Sequence, residues 1–309
     1  MKIPVFDLHC DTALALLDDG KNLCKNDLHI DLTRAGELPG YAQCFACFTT
    51  TLYDSDPVSV FEKELSGIQR QIQEYSDRIR LVHSVSEIEE NCERGMTSAI
   101  LTIEGPAGFH FDWKQLASLH EIGFRITTLG WNERNPLTGS HATGGGLTEL
   151  GKKYVKEAQR LNMLIDVSHI SDEAFWDIIQ ITEKPIIASH SNSRTVHNVS
   201  RNLTDDMFLA ICKTGGVVGI NLYADFLGKD ATLDTVCDHI LHFMDLDPTG
   251  LHIGLGGDLD GCDQLPAGFN GIQDYPRLAE QLLSHGVDYA TVYNIFWNNA
   301  LGVIKKCCM

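Results

Sequence analysis

Phe6-Asp7-Leu8-His9-Cys10-Asp11-Thr12 closes the first apolar run of the chain and places a His-x-Asp pair almost at its start. Side chains alternate between faces along an extended strand, so His9 and Asp11 share one face while Cys10 takes the other. One imidazole and one carboxylate then converge on a single point. That pairing suits zinc or a similar divalent transition metal better than calcium or magnesium, which prefer shells of oxygen. Taken alone, the same residues read equally well as a strand end with a hydrogen-bonded histidine, so the rest of the chain must supply partners.

Beyond this stretch, short β-rich apolar runs alternate with amphipathic ones, the pattern of a parallel sheet wrapped by helices. Eight runs are predicted as strands, at 5–9, 42–49, 98–103, 125–129, 163–167, 185–189, 216–221 and 252–256. Helical spacing falls at 58–78, 147–161, 171–181, 204–213, 233–244 and 275–285, with a capping box at Ser86-Glu87-Ile88-Glu89 and a closing helix at 288–304. Eight β/α units predict an α/β fold, a closed (β/α)8 TIM barrel. No linker, charge block or internal repeat divides the 309 residues, so one domain over 1–309 is expected.

Apolar residues make up 43% of the chain, enough for a large core, and none of the apolar runs approaches the roughly 20 residues that span a bilayer. A net charge of -18 argues against nucleic-acid and anionic-membrane partners, because phosphate binding requires clustered Lys and Arg. The first residues lack the charged, apolar, small-residue order of a secretory leader, and the ten cysteines are scattered, so reduced thiols and a cytoplasmic location are expected. Cys44 and Cys47 sit three apart in a β-like run, face opposite sides and are expected to pack in the core.

Polar residues gather at the C-terminal ends of the predicted strands, where barrels carry their chemistry. His9 and Asp11 end the first, Glu104 the third, His169 the fifth and His190 the sixth, while Gly257-Asp258-Leu259-Asp260-Gly261 follows the eighth. A single catalytic zinc takes about three protein ligands, and this set offers five, one of them a glutamate able to bridge with its two oxygens. Two ions sharing a hydroxide are the machinery of amide or ester hydrolysis at neutral pH. Asp258 remains as the proton carrier between the attacking water and the leaving amine.

These residues resemble the renal or membrane dipeptidase family, binuclear zinc hydrolases on a (β/α)8 barrel within the wider amidohydrolase group. The resemblance spans nearly the whole chain and rests on Asp7-Leu8-His9-Cys10-Asp11-Thr12, Ile103-Glu104-Gly105, Ile165-Asp166-Val167-Ser168-His169, Ser189-His190-Ser191 with Ser200-Arg201-Asn202, and Gly256-Gly257-Asp258-Leu259-Asp260-Gly261. It implies that His9, Asp11 and Glu104 hold one zinc, that Glu104 bridges, and that His169 and His190 hold the other. It matches Asp258 to the family's acid/base and Arg201 to the arginine that grips the C-terminal carboxylate of a dipeptide, sometimes one ending in a D-residue. A guanidinium fork suits that task. The family also implies a homodimer.

Two positions depart from the family pattern. Trp131, in Thr128-Leu129-Gly130-Trp131-Asn132, stands where mammalian members carry a histidine that steadies the tetrahedral intermediate, and indole has a single N–H and takes up no proton. Asn132 or the metals are then expected to carry more of that role. Phe226 stands where a tyrosine is expected beside the substrate. Both changes point to altered side-chain preference. Competing readings are another amidohydrolase-type reaction, such as N-acyl amino acid or lactone hydrolysis, and a barrel that binds a ligand without turnover. Gly144-Gly145-Gly146 is expected to be a loop rim without a phosphate role, and His141, close enough in the chain to reach the site, is expected to be a solvated loop residue.

Overall fold

The computed structural model describes residues 2–53 and 55–308. Among these, nine strands form one parallel sheet: β1 Val5–Cys10, β2 Tyr41–Phe48, β3 Ile79–Leu81, β4 Thr97–Glu104, β5 Phe124–Thr128, β6 Leu164–Asp166, β7 Ile186–Ala188, β8 Val217–Ile220 and β9 Ile253–Leu255. Eight of them close the predicted barrel in the order β2-β1-β9-β8-β7-β6-β5-β4, with β2 pairing back onto β4 from Tyr41↔Thr97 to Phe48↔Glu104. The ninth, β3, lies outside that count. It pairs with the first half of β4, and β5 takes over the same edge from Leu101 onward. Three residues with one exposed arginine are too short to show a period, which is why sequence patterning passes over β3.

The barrel interior is filled from its strands by Phe6, Leu8, Ala42, Cys44, Ile100, Ile126, Leu164, Ile187 and Val217, with Trp297, Ala300 and Ile304 of the last helical segment packed against them. That segment is not one helix. Tyr289–Tyr293 runs through a π turn, Asn294–Asn298, into Asn299–Cys307. The outer faces of the strands bury Val5, Phe45, Leu101 and Ile253 against the surrounding helices. Cys44 and Cys47 are both buried and unpaired, as expected.

The helical stretches after the strands form as their caps dictate. Ser171 accepts from the Ala174 amide ahead of Asp172–Ile181, and Thr204 from the Met207 amide ahead of Asp205–Thr214, each satisfying a donor that the first turn leaves open. One predicted cap is displaced. The capping box is made by Ser84 and Glu87, two residues before the predicted Ser86 and Glu89, and starts the helix Val85–Glu93. No described helix is long and apolar enough to cross a membrane.

Candidate metal centre

Simple alternation would turn His9 away from the interior, because Phe6 and Leu8 already point inward. Asp7 points outward, where its carboxylate accepts from the Tyr275 hydroxyl and from the Gly257 amide at 3.1 Å. The register of β1 against β2 slips between Asp7↔Gln43 and Cys10↔Phe45, three residues opposing two. This extra residue brings His9 inward beside Glu104 and leaves Cys10 in the outer core. Asp11, one residue on, caps the helix Thr12–Asp19 by position yet makes no side-chain cap bond, so its carboxylate stays available.

The inward residues meet at Glu104, which ends β4 and is 3% exposed. Its Oε2 lies 3.2 Å from His9 Nε2, which in turn lies 3.5 Å from Asp11 Oδ2. Its Oε1 lies 2.9 Å from His169 Nε2 and 3.8 Å from His190 Nε2. Two groups of buried donors, His9–Asp11–Glu104 and Glu104–His169–His190, therefore share one carboxylate, one group on each oxygen.

Hydrogen bonding decides which ring nitrogens carry protons. His169 Nδ1 lies 2.9 Å from Asn132 Oδ1, an acceptor, so Nδ1 holds the proton and Nε2 the lone pair. The Ser189 hydroxyl donates to Asp166 Oδ2 and so accepts from His190 Nδ1 at 2.6 Å, which leaves His190 Nε2 bare as well. The two Nε2 atoms are 2.8 Å apart. Burial, then Arg201 for His169 and His9 for His190, hold both imidazoles well below the usual histidine range and hence neutral. His9 Nε2 and Asp11 Oδ1 are buried without a hydrogen-bond partner. Facing lone pairs and orphaned donors of N and O type are what a divalent cation would satisfy.

Asp258 follows β9 with its backbone at φ 56, and His169 follows β6 at φ 72, both in the left-handed region that non-glycine residues seldom occupy. Asn221 Nδ2 donates to Asp258 Oδ2 at 2.9 Å, while Oδ1 faces His9 Nε2 at 3.8 Å. Burial, then the nearby Asp11 carboxylate, push Asp258 up to about 6 against the pull of His9 and Arg201. Burial, followed by Asp11 and Asp258, pushes Glu104 up to about 8. Crowding and dehydration disfavour negative charge on these carboxylates, and a divalent ion among them would offset both. Gly261 completes the approach, since a Cβ there would collide with the Asp11 carboxylate.

A cavity of about 460 Å³ opens onto these groups, lined by Asp11, Glu104, Asn132, His169 and Asp258 with Trp131 and Phe226 at its sides. Trp131 packs edge-on to Phe48 and Tyr53 at centroid distances of 5.2 and 5.8 Å and leans over His169 at 6.1 Å. Arg201 is placed differently from the other expected residues. It lies behind Phe226, its guanidinium carbon 5.6 Å from that ring, in a small recess shared with His169. Only Nη1 is bonded, to Ser191 Oγ at 3.2 Å, and Nε and Nη2 are buried without partners.

Several residues around the site are not assigned to it from the sequence. His141, expected in solvent, bridges Asn132 Oδ1 at 2.9 Å and Ser200 Oγ at 3.0 Å. Asn132 thus accepts from two imidazoles and faces His169 as an orienting group. Asn221, Asp166, Ser189 and Tyr223 also flank the site. Asp166 and Ser189 lie inside quoted motifs, but their roles as supports depend on which strands are neighbours.

The crystal structure of a metallopeptidase from Rhodobacter sphaeroides, liganded with a phosphinate mimic of the dipeptide L-Ala-D-Ala, matches with a TM-score of 0.90 at 25% identity, covering 99% of this chain and 100% of that one. The barrel is that of a metallopeptidase. More narrowly, the model of the membrane dipeptidase family, peptidase family M19, matches residues 1–308, and the chain belongs to that family of metallo-dipeptidases. An uncharacterised protein from the pqqA 5' region of Klebsiella pneumoniae is 33% identical over 265 residues, covering 81% of this chain and 97% of that protein. An uncharacterised dipeptidase of Schizosaccharomyces pombe is 32% identical over 300 residues, covering 90% and 72% respectively.

Proposed function

We propose that this chain hydrolyses the amide bond of dipeptides, those with a C-terminal D-residue included, using two zinc ions. His9, Asp11 and Glu104 would hold one ion and Glu104, His169 and His190 the other. The observation that carries this reading is the shared Glu104, with one donor group on each oxygen and two bare imidazole nitrogens facing each other. When bound, such a pair supplies a hydroxide nucleophile at neutral pH and polarises the scissile carbonyl.

The remaining work falls to the chain itself. Asp258, held by Asn221 and turned toward His9, takes the proton of the attacking water at Oδ1 and hands it to the leaving nitrogen, which departs as an amine. The unpartnered Nε and Nη2 of Arg201, beside the Phe226 ring that walls the cavity, form a buried fork for the substrate's terminal carboxylate. Trp131 and Phe226 wall the cavity and select side chains, and Asn132 keeps His169 Nε2 turned inward. The L-Ala-D-Ala mimic bound by the Rhodobacter protein supports a dipeptide substrate and a tolerated D-residue. Ten unpaired cysteines support a reducing, cytoplasmic setting.

The test is a panel of L-Xaa-L-Xaa and L-Xaa-D-Xaa dipeptides, with N-acyl amino acids and a lactone as controls. Dipeptide cleavage abolished by a chelator and restored by zinc is expected. Activity confined to a control would keep the metal centre and overturn the substrate.

A further inference from the structure

The opposite end of the barrel holds a second group of metal-type donors that the reaction does not use. Cys212 lies near the end of the helix Asp205–Thr214, Asp247 caps the end of Leu233–Leu246, and His252 immediately precedes β9. All three stand where the chain enters strands, at the N-terminal face, a full strand away from the residues around Glu104. One donor atom from each lies within 4.8 Å of the other two, and all three residues are half-buried.

Three features make this group more than a chance meeting. His252 Nδ1 donates to the Gly216 carbonyl at 2.7 Å, which fixes the tautomer and leaves Nε2 as the lone-pair nitrogen, the arrangement of metal-binding histidines. Asp247 places a carboxyl group at a helix C-terminus, where the helix dipole already presents negative charge. Its carboxylate accepts from the Thr249 amide and hydroxyl and, among the described residues, ion-pairs with no lysine or arginine. Cys212, finally, is a free thiol near the C-terminal end of a second helix, so two negative helix ends, one carboxylate, a sulfur and an imidazole ring share one small region.

We propose that Cys212, Asp247 and His252 form a further metal site, for a soft divalent ion of the zinc type. Thiolate, imidazole and carboxylate are all zinc donors, and a tetrahedral ion with ordinary bond lengths would hold them roughly 3.5 Å apart, inside the 4.8 Å within which the three already meet. The Cys212 proton leaves to solvent as sulfur binds, and the fourth position takes water. Bound there, the ion ties the ends of two helices to the start of β9 and so stabilises the floor of the barrel without touching the cavity above.

Cobalt(II) tests this directly, because none of the five residues around Glu104 offers sulfur. Metal-depleted full-length protein titrated with cobalt is expected to show a thiolate-to-cobalt charge-transfer band in the near ultraviolet, absent from Cys212→Ser and weakened in His252→Gln. Metal analysis of the zinc-loaded protein is expected to find one ion per chain fewer in Cys212→Ser, with unchanged dipeptide turnover. Added zinc should raise the Tm of the wild type by about 3 °C or more beyond its effect on that variant. A wild type without the band, or a band that survives in both Cys212→Ser and Cys212→Ala, would overturn the site. Failure of the dipeptidase reading would leave this result untouched, since the band reports sulfur ligation alone.

Discussion

His169 Nε2 and His190 Nε2 stand 2.8 Å apart with neither bearing a proton, because Asn132 and Ser189 engage the opposite nitrogens of the two rings. Two lone pairs held face to face repel unless a cation lies against them. The neighbouring strands β6 and β7 bring the rings together, and a glutamate from β4 places one oxygen 2.9 Å from the first of them.

If Asn132 keeps His169 in place, Asn132→Ala should weaken zinc binding by about 10- to 100-fold while the fold persists. Competition against a chelator of known affinity measures this. Unchanged affinity would show that packing under Trp131 is enough to hold the ring.

Asp258 carries the proton in the proposed reaction, so Asp258→Asn should retain the metals and lose about 100- to 10,000-fold in kcat. Metal analysis and turnover on one dipeptide, measured on the same preparation, separate the two effects. A variant with full metal content and wild-type turnover would remove Asp258 from the mechanism.

The Arg201 fork predicts a split between substrates. Arg201→Ala should raise KM for dipeptides by about 10- to 100-fold, the worth of a charge-assisted hydrogen bond or two, and leave C-terminally amidated analogues nearly unaffected. Equal losses on both would mean that Arg201 supports the recess under Phe226 without meeting the carboxylate.

His239 ties acid stability to one buried ring. Its Nδ1 accepts from the Ser193 amide at 3.0 Å, its Nε2 donates to the Leu227 carbonyl at 2.9 Å, and burial, the leading cause, holds it down to about 4. A histidine kept neutral in the fold contributes full stability above its unfolded value near 6.5. As the pH falls through that value the unfolded chain takes up a proton that the native one refuses, costing about 2 kcal/mol by about pH 5, about 3 kcal/mol by about pH 4 and little more below that. Urea unfolding across that range should show this slope in the wild type and lack it in His239→Asn. Parallel slopes would place the acid sensitivity elsewhere.

Much of the architecture is legible in the chain because a (β/α)8 barrel repeats one local instruction eight times. Apolar runs of β-branched residues and capped amphipathic helices are short-range features, and the candidate donors sit at the ends of four such runs, where a barrel places its chemistry. The extra strand Ile79–Leu81 and the displaced cap at Ser84 escaped because three residues carry no period and two serines two residues apart look alike. Alternation alone was also an incomplete reason for the facing of His9, since the slip between Asp7 and Cys10 is what turns it inward.

By itself, then, the sequence determined the barrel class and the family and singled out the candidate donor residues, all of which follow from residue type and local order. The tertiary structure decided what those residues do to one another. Which ring nitrogen is bare, which oxygen of Glu104 faces which group, why Arg201 lies behind Phe226, and how Cys212 comes to meet Asp247 and His252 depend on strands and helices far apart in the chain. Distances of a few ångströms between such residues arise only when the sheet closes, because no local pattern encodes the register of one strand against its neighbour.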